Sequence, residues 1–158
     1  MPTIDMTTRI HAPMERCFDL SRSVELHVQS TSRSGERAIA GVTRGLLGPG
    51  EQVTWRARHF GIWQNLTSRI TRFDRPRYFR DSMVSGAFSR FDHDHFFIAV
   101  DDEVTEMRDV FDYTSPLGPL GRIADVIVVK RYLAHFLAER NRVIRHVAES
   151  DEWRAFVG

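Results

Sequence analysis

The sequence predicts an α+β protein: a curved, seven-stranded antiparallel sheet wrapped around one long C-terminal helix, with two short helices between the first and second strands. Three observations predict it. Residues 119–149 place Leu120, Ile123, Ile127, Leu133, Phe136, Leu137, Ile144 and Val147 at spacings near 3, 4 and 7, the period of a one-sided helix. Much of the preceding chain alternates apolar and polar residues with period two, the mark of half-buried strands. Those strands follow one another through short turns, so they should pair antiparallel and keep one face in water.

Taken in order, residues 3–11 alternate Ile4, Met6, Thr8 and Ile10 against Thr3, Asp5, Thr7 and Arg9, a half-buried strand. Ala12-Pro13 stops it, and Met14, Cys17 and Phe18 then take helical spacing. A second short helix is expected over 22–27 and a weak strand over 31–40. Residues 41–50 form a loop punctuated by glycines and Pro49. Strands are then expected over 51–60, 66–73, 77–83, 88–100 and 104–113, separated by Gly61, Asp74-Arg75-Pro76, Ser85-Gly86 and Asp101-Asp102. Pro119 suits the first position of the long helix, where its missing N–H would have no partner anyway. At 1.5 Å per residue that helix would run about 46 Å, enough to cross a small sheet. The expected organisation is a single domain over residues 1–149 and a tail over 150–158.

A chain of 158 residues can bury a sufficient core without disulfides or metal. The net charge of +1, with arginines and acidic residues interspersed, gives no general basis for attraction to nucleic acid or acidic membranes. Lys130 is the only lysine among the 22 basic residues, a bias read as codon usage. Cys17 stands alone and supports no internal disulfide, so a reducing cytoplasm is the expected setting. Neither a secretory leader nor a membrane-spanning run is expected.

Several local motifs, in this order, resemble the SRPBCC superfamily, the helix-grip proteins that include START domains, Bet v 1 allergens and polyketide cyclases. They are Ile10-His11-Ala12-Pro13 with Phe18, Leu26-His27, Gly41 and Gly45-Leu46-Leu47, then Glu51-x-Val53-x-Trp55-x-Ala57-x-His59-Phe60-Gly61. Phe91-x-His93-x-His95-x-Phe97, Met107-x-Asp109, Tyr113-x-x-Pro116-Leu117-Gly118 and Arg131-Tyr132-Leu133 follow. They cover residues 3 to about 147 and look most like the bacterial ligand-binding branch. The resemblance implies a cavity between the concave sheet and the long helix, suited to an apolar or amphipathic small molecule. It does not select among carriers, sensors and enzymes, which share this scaffold.

The most informative local pattern is Phe91-Asp92-His93-Asp94-His95-Phe96-Phe97. Period two puts Phe91, His93, His95 and Phe97 on one face, so if the phenylalanines point inward both histidines follow. Asp81 and Asp109, on the strands before and after, are also placed on inward faces, with the exact register left open by the turn at Asp101-Asp102. Four readings compete. The cluster is a self-satisfied buried network; or it supplies the polar anchors of an apolar pocket. Alternatively Asp81 or Asp109 orients His93 or His95 for general acid–base catalysis, as in a cyclase or dehydratase. A metal site needs a third ligand beside the two histidines, from His59 or a carboxylate; no metal and no cofactor are expected.

The expected cavity wall comprises Trp55, His59, Asp81, Phe91, His93, His95 and Asp109, with Ile127 and Phe136 from the helix. Trp55 reads first as a plain core residue, its alternative role being to flank the ligand. Phe60, Ile62 and Trp63, apolar at a hairpin tip, are expected to pack under the glycine-rich loop or in a dimer contact, the alternative being a hydrophobic rim. The 41–50 loop lacks the Gly-Lys-Ser/Thr ending of a phosphate loop and is read as a candidate lid. Cys17 shares an apolar helical face with Met14 and Phe18, as an inert core residue does. The expected partner is therefore a small molecule and not a nucleic acid or an inserted membrane. A homodimer or an oxidoreductase partner is left open.

Overall fold

The computed structural model describes residues 2–115, 118–124 and 128–157. Strand β1 (Thr3–Ile10) is followed by helices α1 (Met14–Ser21) and α2 (Val24–Ser30), then by β2 (Arg37–Gly41), β3 (Gln52–His59), β4 (Ile62–Asp74), β5 (Tyr78–Ser85), β6 (Arg90–Asp101) and β7 (Val104–Thr114). Helices α3 (Gly118–Ala124), α4 (Lys130–Glu149) and α5 (Arg154–Val157) close the described chain. The seven strands form one antiparallel sheet in the order β1-β7-β6-β5-β4-β3-β2. This is the α+β architecture the alternation predicts, a sheet with its inner face turned to α4.

Alternation decides which side chains go inward. On β3, Val53, Trp55 and Ala57 are buried while Arg56 and Arg58 are exposed. On β6, Phe91, His93, His95 and Phe97 are all buried. The opposite face carries arginine–carboxylate pairs such as Arg80–Asp94 at 2.7 Å and Arg108–Asp5 at 2.6 Å, a wet surface whose ion pairs add little stability. The β6–β7 turn resolves the open register: Asp101 pairs with Val104, so His95 stands directly opposite Asp109 and His93 opposite Phe111.

The interior holds two apolar clusters. The larger joins α1, α2 and the end of α4 to the sheet through Phe18, Leu26, Val53, Ile70, Phe97 and Ile144. The smaller gathers Ile4, Phe91, Phe111, Tyr113 and Leu137. Along β6 the two histidines fall between them, so a polar cluster separates the two apolar ones.

Some boundaries differ from expectation for identifiable reasons. Helix α2 starts at Val24 because the Ser23 hydroxyl accepts a hydrogen bond from the Leu26 N–H, a side-chain cap that the expected 22–27 boundary missed. Between α2 and β2, residues Ser32–Ser34 form a 3-10 turn ended by left-handed Gly35, so only the second half of the expected 31–40 strand forms. The run 119–149 is described as two helical segments, and Ile127 lies outside the described residues. Leu120 and Ile123 are 76% and 62% exposed, so α3 does not turn them to the sheet as the period implied. The tail folds back, with Trp153, Phe156 and Val157 packed against the larger cluster.

Two loop expectations are corrected. The 41–50 segment is docked rather than lid-like: Gly45 C=O accepts from Val24 N–H, Leu47 N–H donates to Arg22 C=O, and Leu47 is buried in the core. Gly41, with φ +71°, has no room for a Cβ, which would meet Gln52 O at 2.3 Å. The hairpin tip does not pack beneath that loop; Phe60, Ile62 and Trp63 are more than half exposed. Phe60 itself has a left-handed backbone (φ 52°), a conformation costing a non-glycine residue about 1–3 kcal/mol. It leans on Tyr132 at 4.6 Å between ring centres.

Candidate functional site

A cavity of about 400 Å³ lies between the sheet and α4. Of the residues expected on its wall, Trp55, His59, Asp81, Phe91, His93 and Phe136 line it. His95 instead borders an adjoining chamber of about 70 Å³, shared with Asp81, His93 and Arg140. Asp109 borders neither: fully buried, it stands behind the histidines. The sheet register explains this, because Asp109 on β7 is one strand further from β4 and β5 than the histidines it faces.

The histidines and carboxylates are joined diagonally. Asp81 lies opposite His93 in register and His95 opposite Asp109, yet each histidine bonds the other's neighbour. His93 Nε2 is 2.9 Å from Asp109 Oδ1, and His95 Nε2 is 2.7 Å from Asp81 Oδ1. An ionised carboxylate only accepts, so both ring nitrogens donate. His95 Nδ1 is also 3.2 Å from Asp109 Oδ1, in poor hydrogen-bond geometry. The two imidazoles lie 3.8 Å apart, and Phe79 stacks on His95 at 4.1 Å.

Helix α4 completes the cluster with two residues that sequence reasoning missed. Asn141 Nδ2 donates to Asp109 Oδ2 at 2.6 Å. The Arg140 guanidinium, 3.6 Å from Asp109 Oδ1, donates to Asn141 Oδ1 and Ser21 C=O. A basic residue of an amphipathic helix is expected on its wet face, yet Arg140 is 4% exposed. The signal was present, since 140 and 141 fall three and four residues after Leu137 and before Ile144, on the face those residues bury.

Electrostatics follow from this packing. Burial opposes charge on Asp109, yet the hydrogen bond from His93 and the close His95 imidazole hold its carboxyl well below the usual range. Asp81 is shifted down likewise, against burial, by its bond from His95 and the charge of His93. Burial also pulls both histidines down; His95 is nevertheless raised by its carboxylate partners, while His93, beside it, stays lowered. Of the two rings, His95 is thus the one that its surroundings favour as the cation, beside two carboxylates and Arg140. With Nε2 turned to Asp109, the other ring nitrogen of His93, Nδ1, lies 3.9 Å from Asp81 Oδ1.

A second polar group occupies another part of the wall. His59 hydrogen-bonds the Tyr132 hydroxyl through Nδ1, and burial pulls the His59 pKa down and pushes that of Tyr132 up. Glu36, 7% exposed, meets His27 Nε2 at 2.8 Å, and His27 packs on Trp55. Tyr132, Glu36 and His27 all line the cavity, although none of them is among the wall residues expected from sequence. Tyr132 has a signal in hindsight, four residues before Phe136 on one helix face. Buried Cys17 has its thiol pushed up to about 11 by burial, as befits an inert core residue. Among the described residues, Asp81, His93 and His95 also bring three potential metal-ligand atoms within 4.8 Å of one another.

No protein-family model matches this sequence, and neither does any curated protein sequence. The likeness is in structure. TTHA0849 from Thermus thermophilus superposes with a TM-score of 0.70 at 17% identity, covering 90% of this chain and 97% of that one. A START superfamily protein from Mycobacterium smegmatis gives 0.70 at 12% identity, over 93% and 97% of the two chains. The Zhui aromatase/cyclase from Streptomyces sp. R1128 gives 0.66 at 13%, over 92% and 95%. The chain therefore has the helix-grip fold, in agreement with the SRPBCC resemblance of its motifs. No helix among the described residues is long and apolar enough to cross a membrane.

Proposed function

We propose that this protein binds an apolar or amphipathic small molecule in the cavity between the sheet and the C-terminal helix. The observation that carries this reading is the wall: a hollow of about 400 Å³ whose surface is mainly apolar, with Trp55, Leu66, Phe91, Phe111, Leu133 and Phe136 on it and polar side chains interspersed. Withdrawing apolar ligand surface from water contributes about 25 cal/mol per Å², less the cost of ordering the ligand. His93 and Asp81 on one part of the wall, and His59, Tyr132 and Glu36 on another, set orientation. A START superfamily protein and an aromatase/cyclase among the structural neighbours fit this reading. A reducing cytoplasm suits its lone buried Cys17.

The test uses Nile red and native mass spectrometry of the freshly purified protein. Wild type should bind Nile red saturably. Ala57→Trp, which places an indole in the hollow, should weaken that binding at least tenfold, a change of about 1.4 kcal/mol. Far-UV circular dichroism establishes that the variant is folded. Equal binding by folded Ala57→Trp, or no binding by wild type together with no retained molecule, refutes the reading.

The second reading is an enzyme of the cyclase or dehydratase type, favoured by one observation: His93, with Nε2 fixed by buried Asp109, presents a basic nitrogen beside the cavity. His93→Gln separates the two. Binding should fall only modestly in a carrier, whereas conversion of the extracted ligand, followed by mass spectrometry, should slow about a hundredfold or more in an enzyme.

A further inference from the structure

We propose that Asp81, His93 and His95 form a binding site for a divalent first-row transition-metal ion at the junction of the two cavities. The geometry supplies three ligand atoms of the right chemistry: Asp81 Oδ1, His93 Nδ1 and His95 Nε2. Oδ1 stands 2.7 Å from His95 Nε2 and 3.9 Å from His93 Nδ1. Ligands about 2.1 Å from one tetrahedral ion sit about 3.4 Å apart, between those two separations. Small rotations of Asp81 and His93 bring the three to a common centre, His95 Nε2 exchanging its hydrogen for the ion. Two imidazoles and one carboxylate suit zinc or iron(II) rather than calcium or magnesium, which prefer all-oxygen sites.

The residues around these three ligand atoms support such a site. A metal-bound histidine is held by a hydrogen bond from its other ring nitrogen, very often to a carboxylate. Here the opposite nitrogens, His93 Nε2 and His95 Nδ1, both face Asp109 Oδ1, at 2.9 and 3.2 Å. The buried carboxylate orients His93 by a hydrogen bond and lies beside His95 Nδ1, within reach after a small rotation of that ring, and Asn141 in turn fixes the carboxylate at 2.6 Å. Phe79 stacked on His95 and Phe111 edge-on to His93 restrict the rings further. Charge is compatible: buried Asp109 and partly buried Asp81 set two carboxylates against the one guanidinium of Arg140, and His95 gives up a proton as the ion binds.

The site is also reachable. Asp81 and His93 border both the larger cavity and the small chamber, whose volume of about 70 Å³ exceeds what one water needs. The remaining coordination positions would face that chamber and admit water or a donor atom of the guest. This makes the ligand-binding hollow one with a Lewis-acidic end, selecting amphipathic guests that carry an oxygen or nitrogen donor.

The experiment titrates the full chain, stripped of metal by a chelator, with Co²⁺ alone. One equivalent should bind and give visible d–d absorption, and Zn²⁺ should displace it stoichiometrically. His93→Gln and Asp81→Asn should each weaken Co²⁺ binding at least a hundredfold while remaining folded by circular dichroism. His146→Gln, an exposed histidine on α4 that lines neither cavity, should bind Co²⁺ as wild type does. Absence of saturable binding, or binding unchanged in both His93→Gln and Asp81→Asn, overturns the proposal. Nile red binding by the stripped protein is recorded in parallel, so failure of the metal site is distinguished from failure of the ligand-binding reading.

Discussion

Replacing Asp109 with alanine is expected to lower the folding stability by about 3–5 kcal/mol, the range seen when one partner of a buried ion pair is removed. Asp109 is fully buried, accepts from His93 and Asn141, and lies within 3.6 Å of His95 and Arg140. Its loss leaves the Arg140 guanidinium and the paired imidazoles facing only Asp81. For a chain of this size the melting temperature should fall by on the order of 10 °C. Urea denaturation monitored by circular dichroism measures it, and a loss below about 1 kcal/mol would mean that the cluster is dispensable.

The same residue sets an acid limb. Its folded pKa is depressed, so its contribution is complete above the unfolded value of about 3.9 and is lost as pH falls through the folded value. Asp81 acts in the same direction. The histidines oppose one another: the raised pKa of His95 gives stability that is complete below about 6.5 and lost as pH rises through its folded value, whereas the lowered pKa of His93 gives the reverse trend. Stability against pH should therefore fall mainly below about pH 4, and Asp109→Asn should flatten that fall.

Phe18→Ala carries the other large expectation, a loss of about 3–5 kcal/mol. Phe18 is fully buried, and its ring meets those of Phe73, Phe79 and Phe97 edge to face at 5.2–5.4 Å. Truncation removes both the buried area and three aromatic contacts at the centre of the larger cluster. Phe18 does not line the ligand cavity, so folded Phe18→Ala should keep the Nile red stoichiometry of wild type while melting earlier. A parallel loss of binding would show that the two ends of the interior are not separable.

The strands were legible because a sheet with one wet face leaves period two in the sequence, and β6 shows it without exception from Phe91 to Phe97. His93 and His95 followed as inward-facing residues from that rule alone. What the rule does not contain is register, so the diagonal bonding to Asp81 and Asp109 had to come from the structure. Arg140 is not legible as an inward residue because charge ordinarily marks a solvent-facing side chain, whereas here a fully buried carboxylate on β7 draws it inward. Gly41–Gly50 was read from composition as mobile, yet its backbone hydrogen bonds to α1 and α2 are long-range and invisible in a window of sequence. At α3 the helical period was present, but Leu120 and Ile123 face water.

The polar cluster that parts the interior into a filled portion and a hollow one gives occupancy a thermal signature. The hollow portion forgoes contacts that a guest restores, and a guest that binds only the native fold stabilises it by mass action, about 2.7 kcal/mol at a hundredfold excess over Kd. Melting curves across a compound library thus become a search for the guest, with the resting protein as its own gauge.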